Sequence, residues 1–237
     1  MDYIFSGDNN QLHVWLGNGD GTFETDRIVT IVTDSPTALT SGVGGTELTD
    51  IQDFNNDGVA DLATLGDLGA TNQLRIYFGV GDGTFQTTNS AESILAGANG
   101  SDSVGVDADE YGEFVDINND GILDYAYAEG FSATANLFTY FGNGDGTFEI
   151  NPIETVITDL PLNNLALFAS QDGAGQSFFI DVTEDGIVDY VTTYDDQGDR
   201  SGLTVYVGNG DGTFEDNAIT TEIHDFTAGL SLSLIHI

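Results

Sequence analysis

Short segments in which apolar and polar residues alternate recur along the chain, at the period of two that a β-strand imposes. Four of them look alike: Leu12-His-Val-Trp-Leu16, Leu74-Arg-Ile-Tyr-Phe78, Leu137-Phe-Thr-Tyr-Phe141 and Leu203-Thr-Val-Tyr-Val207. Leucine opens each, and an aromatic precedes the last residue. Asp61-Leu-Ala-Thr-Leu, Asp124-Tyr-Ala-Tyr-Ala and Asp189-Tyr-Val-Thr-Thr predict a second set of strands, and Glu113-Phe-Val-Asp116 and Ser177-Phe-Phe-Ile-Asp181 a third. A fourth is expected directly after a recurring phenylalanine, from Phe148-Glu-Ile-Asn and from Phe214 onward.

Two motifs punctuate these strands. Gly-Asn-Gly-Asp-Gly-Thr-Phe stands at 17–23, 142–148 and 208–214, and at 79–85 with Val80 in place of Asn. An acidic nonapeptide runs in step with it: Asp53-Phe-Asn-Asn-Asp-Gly-Val-Ala-Asp61, Asp116-Ile-Asn-Asn-Asp-Gly-Ile-Leu-Asp124 and Asp181-Val-Thr-Glu-Asp-Gly-Ile-Val-Asp189. The glycine-rich copies start 62, 63 and 66 residues apart, and the acidic copies 63 and 65. Four short strands per repeat of that length predict an all-β chain of β-propeller blades, each a four-stranded antiparallel sheet, with about four blades present. The period excludes a nine-residue β-helix, and the alternation excludes helical repeats.

The acidic loop, followed about 26 residues later by an aromatic and the glycine-rich heptapeptide, resembles the FG-GAP-like (VCBS) repeats of integrin α-subunit propellers and secreted bacterial proteins. The resemblance spans almost the whole chain. It departs from the pattern at Thr183, Glu184 and Val80. What it implies is an extracellular or cell-surface module for adhesion or for binding a protein or carbohydrate ligand.

Asp2-Tyr-Ile-Phe-Ser aligns with the strands that open on Asp124 and Asp189, so Asp2 reads as the last residue of an acidic loop. The expected organisation is a partial propeller over 1–231, with blades at 1–30 (incomplete), 45–92, 110–158 and 176–226. Neighbouring blades of a longer parent chain are its expected partners. Leu232-Ser-Leu-Ile-His-Ile237 resembles a translated sequencing adapter and is set apart from the fold.

Composition narrows the function. The 237 residues include 3 Lys+Arg and 40 Asp+Glu, for a net charge of −37. A nucleic-acid partner or an anionic lipid surface meets repulsion everywhere, and no apolar run is long enough to insert in a membrane. With no cysteine there is no disulfide, thiolate site or thiol nucleophile. The 31 glycines and the charge could indicate disorder, but 15 Phe and 9 Tyr supply a core and place the glycines in turns.

The acidic loops carry the candidate chemistry. Positions 1, 3 and 5 present side-chain oxygen, glycine at 6 permits a tight turn, position 7 offers a carbonyl and an aspartate closes at 9. The candidate ligands are Asp53, Asn55, Asp57, Val59 and Asp61; Asp116, Asn118, Asp120, Ile122 and Asp124; and Asp181, Thr183, Asp185, Ile187 and Asp189. Carboxylates this close repel unless a cation lies between them, and an all-oxygen set suits calcium, so about three Ca2+ sites are expected. An EF-hand would need flanking helices and a glutamate at position 12, where Thr64, Tyr127 and Thr192 stand.

The glycine-rich turns read as Asp-Gly hairpins rather than phosphate cradles, because Asp20, Asp82, Asp145 and Asp211 would repel an anion. Their phenylalanines, Phe23, Phe85, Phe148 and Phe214, are expected to pack between blades. The acidic stretch Asp102 to Glu113 reads as a solvated loop. Outside the terminal hexapeptide the histidines are His13 and His224, and His13 lies on a variable position read as outward-facing, a poor place for a catalytic base. A non-catalytic, calcium-binding module is therefore expected. The alternatives are an accessory domain of a secreted hydrolase or polysaccharide-active enzyme, or a structural spacer.

Overall fold

Strands form where alternation and β-branched or aromatic side chains coincide, and glycine or aspartate ends them. The computed structural model describes residues 2–7, 10–34, 47–67, 72–96, 112–129, 135–158, 177–195 and 201–223. Residues 102–111 of the acidic stretch, His224 and the terminal hexapeptide 232–237 lie outside the described residues.

Among the described residues all regular structure is β, in four antiparallel meanders of propeller-blade type. The first holds β1 (Tyr3–Gly7), β2 (Gln11–Trp15) and β3 (Ile28–Ile31), in that order. The second holds β4 (Glu47–Gln52), β5 (Asp61–Asp67), β6 (Asn72–Tyr77) and β7 (Ala91–Leu95). The third runs β8 (Gly112–Val115), β9 (Asp124–Glu129), β10 (Ala135–Tyr140) and β11 (Ile153–Ile157). The fourth runs β12 (Ser177–Ile180), β13 (Asp189–Asp195), β14 (Ser201–Tyr206) and β15 (Ile219–Ile223). By motif, the three strands of the first sheet match the second to fourth strands of the others: β1 follows Asp2 as β5 starts on Asp61.

The fourth strand of each sheet departs from expectation. It does not continue from the phenylalanine, which instead forms an isolated antiparallel bridge: Gly17 with Phe23, Gly79 with Phe85, Gly142 with Phe148 and Gly208 with Phe214. A bend intervenes before β11 and β15 begin at Ile153 and Ile219. In the third sheet Pro152 stands in that bend, where a residue without N–H costs no ladder bond. β3 and β7 run to Ile31 and Leu95.

The described residues fall into two compact units, Met1–Val106 with Gly142–Ile150 and Asp107–Phe141 with Asn151–Ile237. In the first, Leu12, Val14 and Val32 meet Leu62, Tyr77 and Phe85, joining two sheets face to face. In the second, Ala126, Leu137 and Ile157 meet Phe179, Tyr190, Tyr206 and Phe214 in the same way. Fully burying one such phenylalanine contributes roughly 2–3 kcal/mol. Phe85, Phe148 and Phe214 are buried as expected, whereas Phe23 is 47% exposed.

Aromatic neighbours within one sheet can bury a position that alternation reads as outward. His13, read as outward-facing, is buried at 7% exposure, stacked on Trp15 with ring centroids 6.2 Å apart. Its counterparts Phe138 and Thr204 are also buried.

Candidate functional site

Each acidic loop folds around its first aspartate. In the loop 53–61, Asp53 accepts hydrogen bonds from the backbone N–H of Asp57 (3.1 Å) and of Gly58 (2.8 Å). Asn55 accepts from Asp57 N–H at 2.9 Å and donates its side-chain amide to Asp57 at 3.0 Å. The other Asp57 oxygen accepts from Val59 N–H at 2.8 Å. These bonds coil the chain so tightly that position 4 takes a left-handed conformation, φ 58° at Asn56, and Gly58 follows at φ 86°. Asn tolerates that region and glycine adopts it freely, which accounts for Asn-Asp-Gly at positions 4 to 6.

The loop 116–124 repeats the pattern. Asp116 accepts from Asp120 N–H (3.1 Å) and Gly121 N–H (2.8 Å), Asn118 from Asp120 N–H (2.9 Å), and Asp120 from Ile122 N–H (2.8 Å). In the loop 181–189, Asp181 accepts from Asp185 N–H (3.2 Å) and Gly186 N–H (2.9 Å), and Asp185 from Ile187 N–H (2.8 Å). Thr183 has no amide to bridge to Asp185, and its own N–H goes instead to Asp189 at 3.0 Å. Glu184 holds the left-handed position at φ 60°. The Asn119 side chain donates to the carbonyl of Gly186, so the two loops of this unit adjoin.

The closing aspartate has a task that sequence reasoning missed. Asp61, Asp124 and Asp189 are completely buried. One oxygen of Asp61 accepts from Phe54 N–H inside its loop (3.0 Å), and the other from Gly79 N–H at the head of the glycine-rich turn (2.9 Å). Asp189 likewise joins Val182 N–H (3.0 Å) to Gly208 N–H (3.0 Å), and Asp2 accepts from Gly17 N–H at 2.8 Å. Asp124 accepts from Ile117 N–H at 3.0 Å. Asp2, Asp61 and Asp189 thus each fasten to the glycine-rich turn that follows in sequence, which holds the two motifs at one spacing there.

The fit is close. A Cβ on Gly79 would lie 2.2 Å from the carbonyl oxygen of Ala60, and one on Gly208 would lie 2.0 Å from that of Val188. The position-7 side chains rest on the same turn: Val59 lies 3.7 Å from a Cβ placed on Gly81, and Ile187 lies 3.4 Å from one on Gly210. Burial pushes the Asp61 carboxyl above the ordinary range, the amides of Gly79 and Phe54 oppose this, and the charges of Asp57 and Asp53 add to the rise.

The donor chemistry of the loops, all hard oxygen with negative charge concentrated on each turn, fits a calcium ion. Among the described residues, however, no three Asp, Glu or His side chains stand grouped as a metal site. The carboxylates turn to backbone amides instead. Those amides already offset part of the mutual repulsion for which the sequence reading invoked a cation alone.

The glycine-rich turns are hairpins. Thr22 donates both its N–H (3.0 Å) and its hydroxyl (2.6 Å) to Asp20, and Asn18 Nδ2 donates to Thr22 Oγ1 at 3.0 Å. The same Thr–Asp pair closes the turns at Asp82, Asp145 and Asp211. The threonine hydroxyl, then its N–H, holds each of these four carboxyls below the ordinary range. No helix among the described residues is long and apolar enough to cross a membrane.

No protein-family model and no curated protein matches the chain. Among solved structures it is similar to a lectin of Agrocybe aegerita, whose structure is described for specific recognition of non-reducing terminal N-acetylglucosamine. The two are 20% identical with a TM-score of 0.62, over 94% of this chain and 48% of the lectin chain. The chain thus spans about half the length of that lectin, and it shares its all-β fold.

Proposed function

We propose that this chain is a non-catalytic recognition module for carbohydrate, part of an extracellular or cell-surface protein built from FG-GAP-like repeats. The observation that carries the reading is the fold shared, over 94% of the chain, with a lectin that recognises terminal N-acetylglucosamine. A non-catalytic role is supported by the recurring carboxylates, which are engaged by backbone amides. Calcium would be held by Asp53, Asn55, Asp57 and the carbonyl of Val59, by Asp116, Asn118, Asp120 and Ile122, and by Asp181, Thr183, Asp185 and Ile187. Asp61, Asp124 and Asp189 would brace these sets from beneath. The ion's contribution would be to neutralise each loop and hold the loop backbone still.

A glycan array probed with the 237-residue chain in calcium tests the reading, followed by calorimetry on any hit. Retention on glycans, weakened by a chelator, is the expected result. A folded protein that retains no glycan removes the carbohydrate reading. Calorimetric titration with calcium chloride that detects no uptake removes the metal.

A further inference from the structure

Three of the four glycine-rich turns carry an asparagine directly before a glycine: Asn18-Gly19, Asn143-Gly144 and Asn209-Gly210. All three asparagines are exposed. Their backbone N–H groups donate across the turn to the carbonyls of Thr22, Thr147 and Thr213, at 2.9, 2.8 and 2.9 Å. Their side chains close a second link to the same threonines. Asn18 Nδ2 donates to Thr22 Oγ1 (3.0 Å), Asn143 Nδ2 to Thr147 Oγ1 (3.0 Å) and Asn209 Nδ2 to Thr213 Oγ1 (2.9 Å).

The direction of this side-chain clasp follows from the hydroxyl's single hydrogen. Each threonine gives it to the aspartate of its own turn, Asp20, Asp145 or Asp211, at 2.6 Å. Only lone pairs are left on Oγ1, and only a donor fits opposite them. The asparagine amide supplies one. A carboxylate at the same place would set acceptor against acceptor.

Asparagine before glycine is also the pair most prone to lose its amide, because no Cβ hinders the glycine nitrogen. That nitrogen attacks Cγ and gives up its proton, the Cγ–Nδ2 bond breaks and ammonia leaves, closing a succinimide. Water opens the ring at either carbonyl, to aspartate or to isoaspartate, which has one more atom in the backbone. The attack draws Cγ back onto the next residue, whereas the clasp holds the amide on a residue four positions ahead. We infer that Asn18, Asn143 and Asn209 are deamidation sites gated by their threonine hydroxyls: the amide survives while the clasp is closed, reacts when the turn opens, and leaves an acid that cannot close it again.

The turn 79–85 separates loss of the clasp from gain of the acid. Val80 has no side-chain amide, yet its N–H reaches the Thr84 carbonyl at 2.9 Å and Thr84 Oγ1 donates to Asp82 at 2.6 Å. A turn without the clasp therefore still folds, and the harm of deamidation lies in the charge that it adds beside the turn's aspartate. Each conversion adds that charge to a chain already at −37. Neither carbohydrate nor calcium enters the inference.

Peptide mapping by mass spectrometry tests it, on the 237-residue chain held in mildly alkaline buffer with and without concentrated urea. Amide loss is expected at all three sites in both conditions, and more slowly without urea. Thr147→Val removes the acceptor of one clasp. It is expected to speed loss at Asn143 about fivefold, as the lack of one neutral hydrogen bond allows, and to leave Asn18 and Asn209 at their wild-type rates. Asn143→Val copies the turn 79–85 and should melt close to wild type, whereas Asn143→Asp, the aspartate product made directly, should melt below it. A native chain that keeps all three amides while the urea-treated chain loses them overturns the inference. Loss at Asn143 no faster in Thr147→Val than in wild type also overturns it, and so does equal acceleration at all three sites, the mark of global opening. Equal melting of Asn143→Asp and Asn143→Val would remove the one-way step.

Discussion

Replacing Asp61 by Asn tests whether the closing aspartate is a fastening or a metal ligand. The side chain is completely buried, with one oxygen on Phe54 N–H and the other on Gly79 N–H. Asparagine keeps one acceptor and turns an NH2 toward the other N–H. One hydrogen bond to a charged group is lost, about 1.5–3 kcal/mol, and a buried donor is left facing a donor, at a further cost of about 1–3 kcal/mol. Part is returned because a neutral amide escapes the burial that pushes the Asp61 carboxyl up. The net loss is then about 2–3 kcal/mol, or a melting temperature lower by roughly 5–10 °C for a chain of this size. Differential scanning calorimetry in chelator and again in calcium reads it out. A fastening gives the same loss in both conditions. A variant as stable as the parent in chelator, and weaker only in calcium, would refute the fastening.

Three further outcomes follow from the same geometry. Gly79→Ala places a Cβ 2.2 Å from a backbone oxygen that cannot step aside, so a loss of about 2–4 kcal/mol is expected in urea unfolding. Glu184→Asn relieves a left-handed residue at φ 60° and removes one charge from a crowded loop, so a gain of about 0.5–1 kcal/mol is expected by the same measurement. Thr84→Val deletes the hydroxyl that does most to hold Asp82 down, so carboxyl NMR should find Asp82 titrating closer to the ordinary carboxylate value. Because a depressed carboxyl stabilises the fold above its unfolded pKa and loses that contribution as pH falls through its folded pKa, this turn should also become less sensitive to acid; an unchanged Asp82 titration would show that the hydroxyl is not the cause.

The sheets were legible because they leave a period: alternation gave the strands, and the two motifs gave their phase. The late start of the fourth strand was not, since Glu149 and Ile150 read as a strand until Pro152 and the Gly142–Phe148 bridge are seen together. His13 was misplaced because aromatic neighbours of its own sheet cover it: the ring stacks on Trp15 and meets Phe5 edge-on, contacts that alternation along one strand does not reveal. The residues of the acidic loops were visible, but the partner of Asp61 was not. Gly79 is 18 residues away, and only the pleat of β5 and β6 brings its N–H to the carboxylate. Two motifs locked to one period were the available sign that they touch.

The fastening between loop and turn bears on how such a chain can grow. From the start of each acidic loop to the start of its turn the distance is 26, 26 and 27 residues, whereas from each turn to the next loop it is 36, 37 and 39. Length drifts more in the longer stretches, outside the span from loop to turn. A recombination break placed in those stretches leaves Asp2 with Gly17, Asp61 with Gly79 and Asp189 with Gly208, so copies can be gained, lost or exchanged between genes without refitting the interior of any one of them.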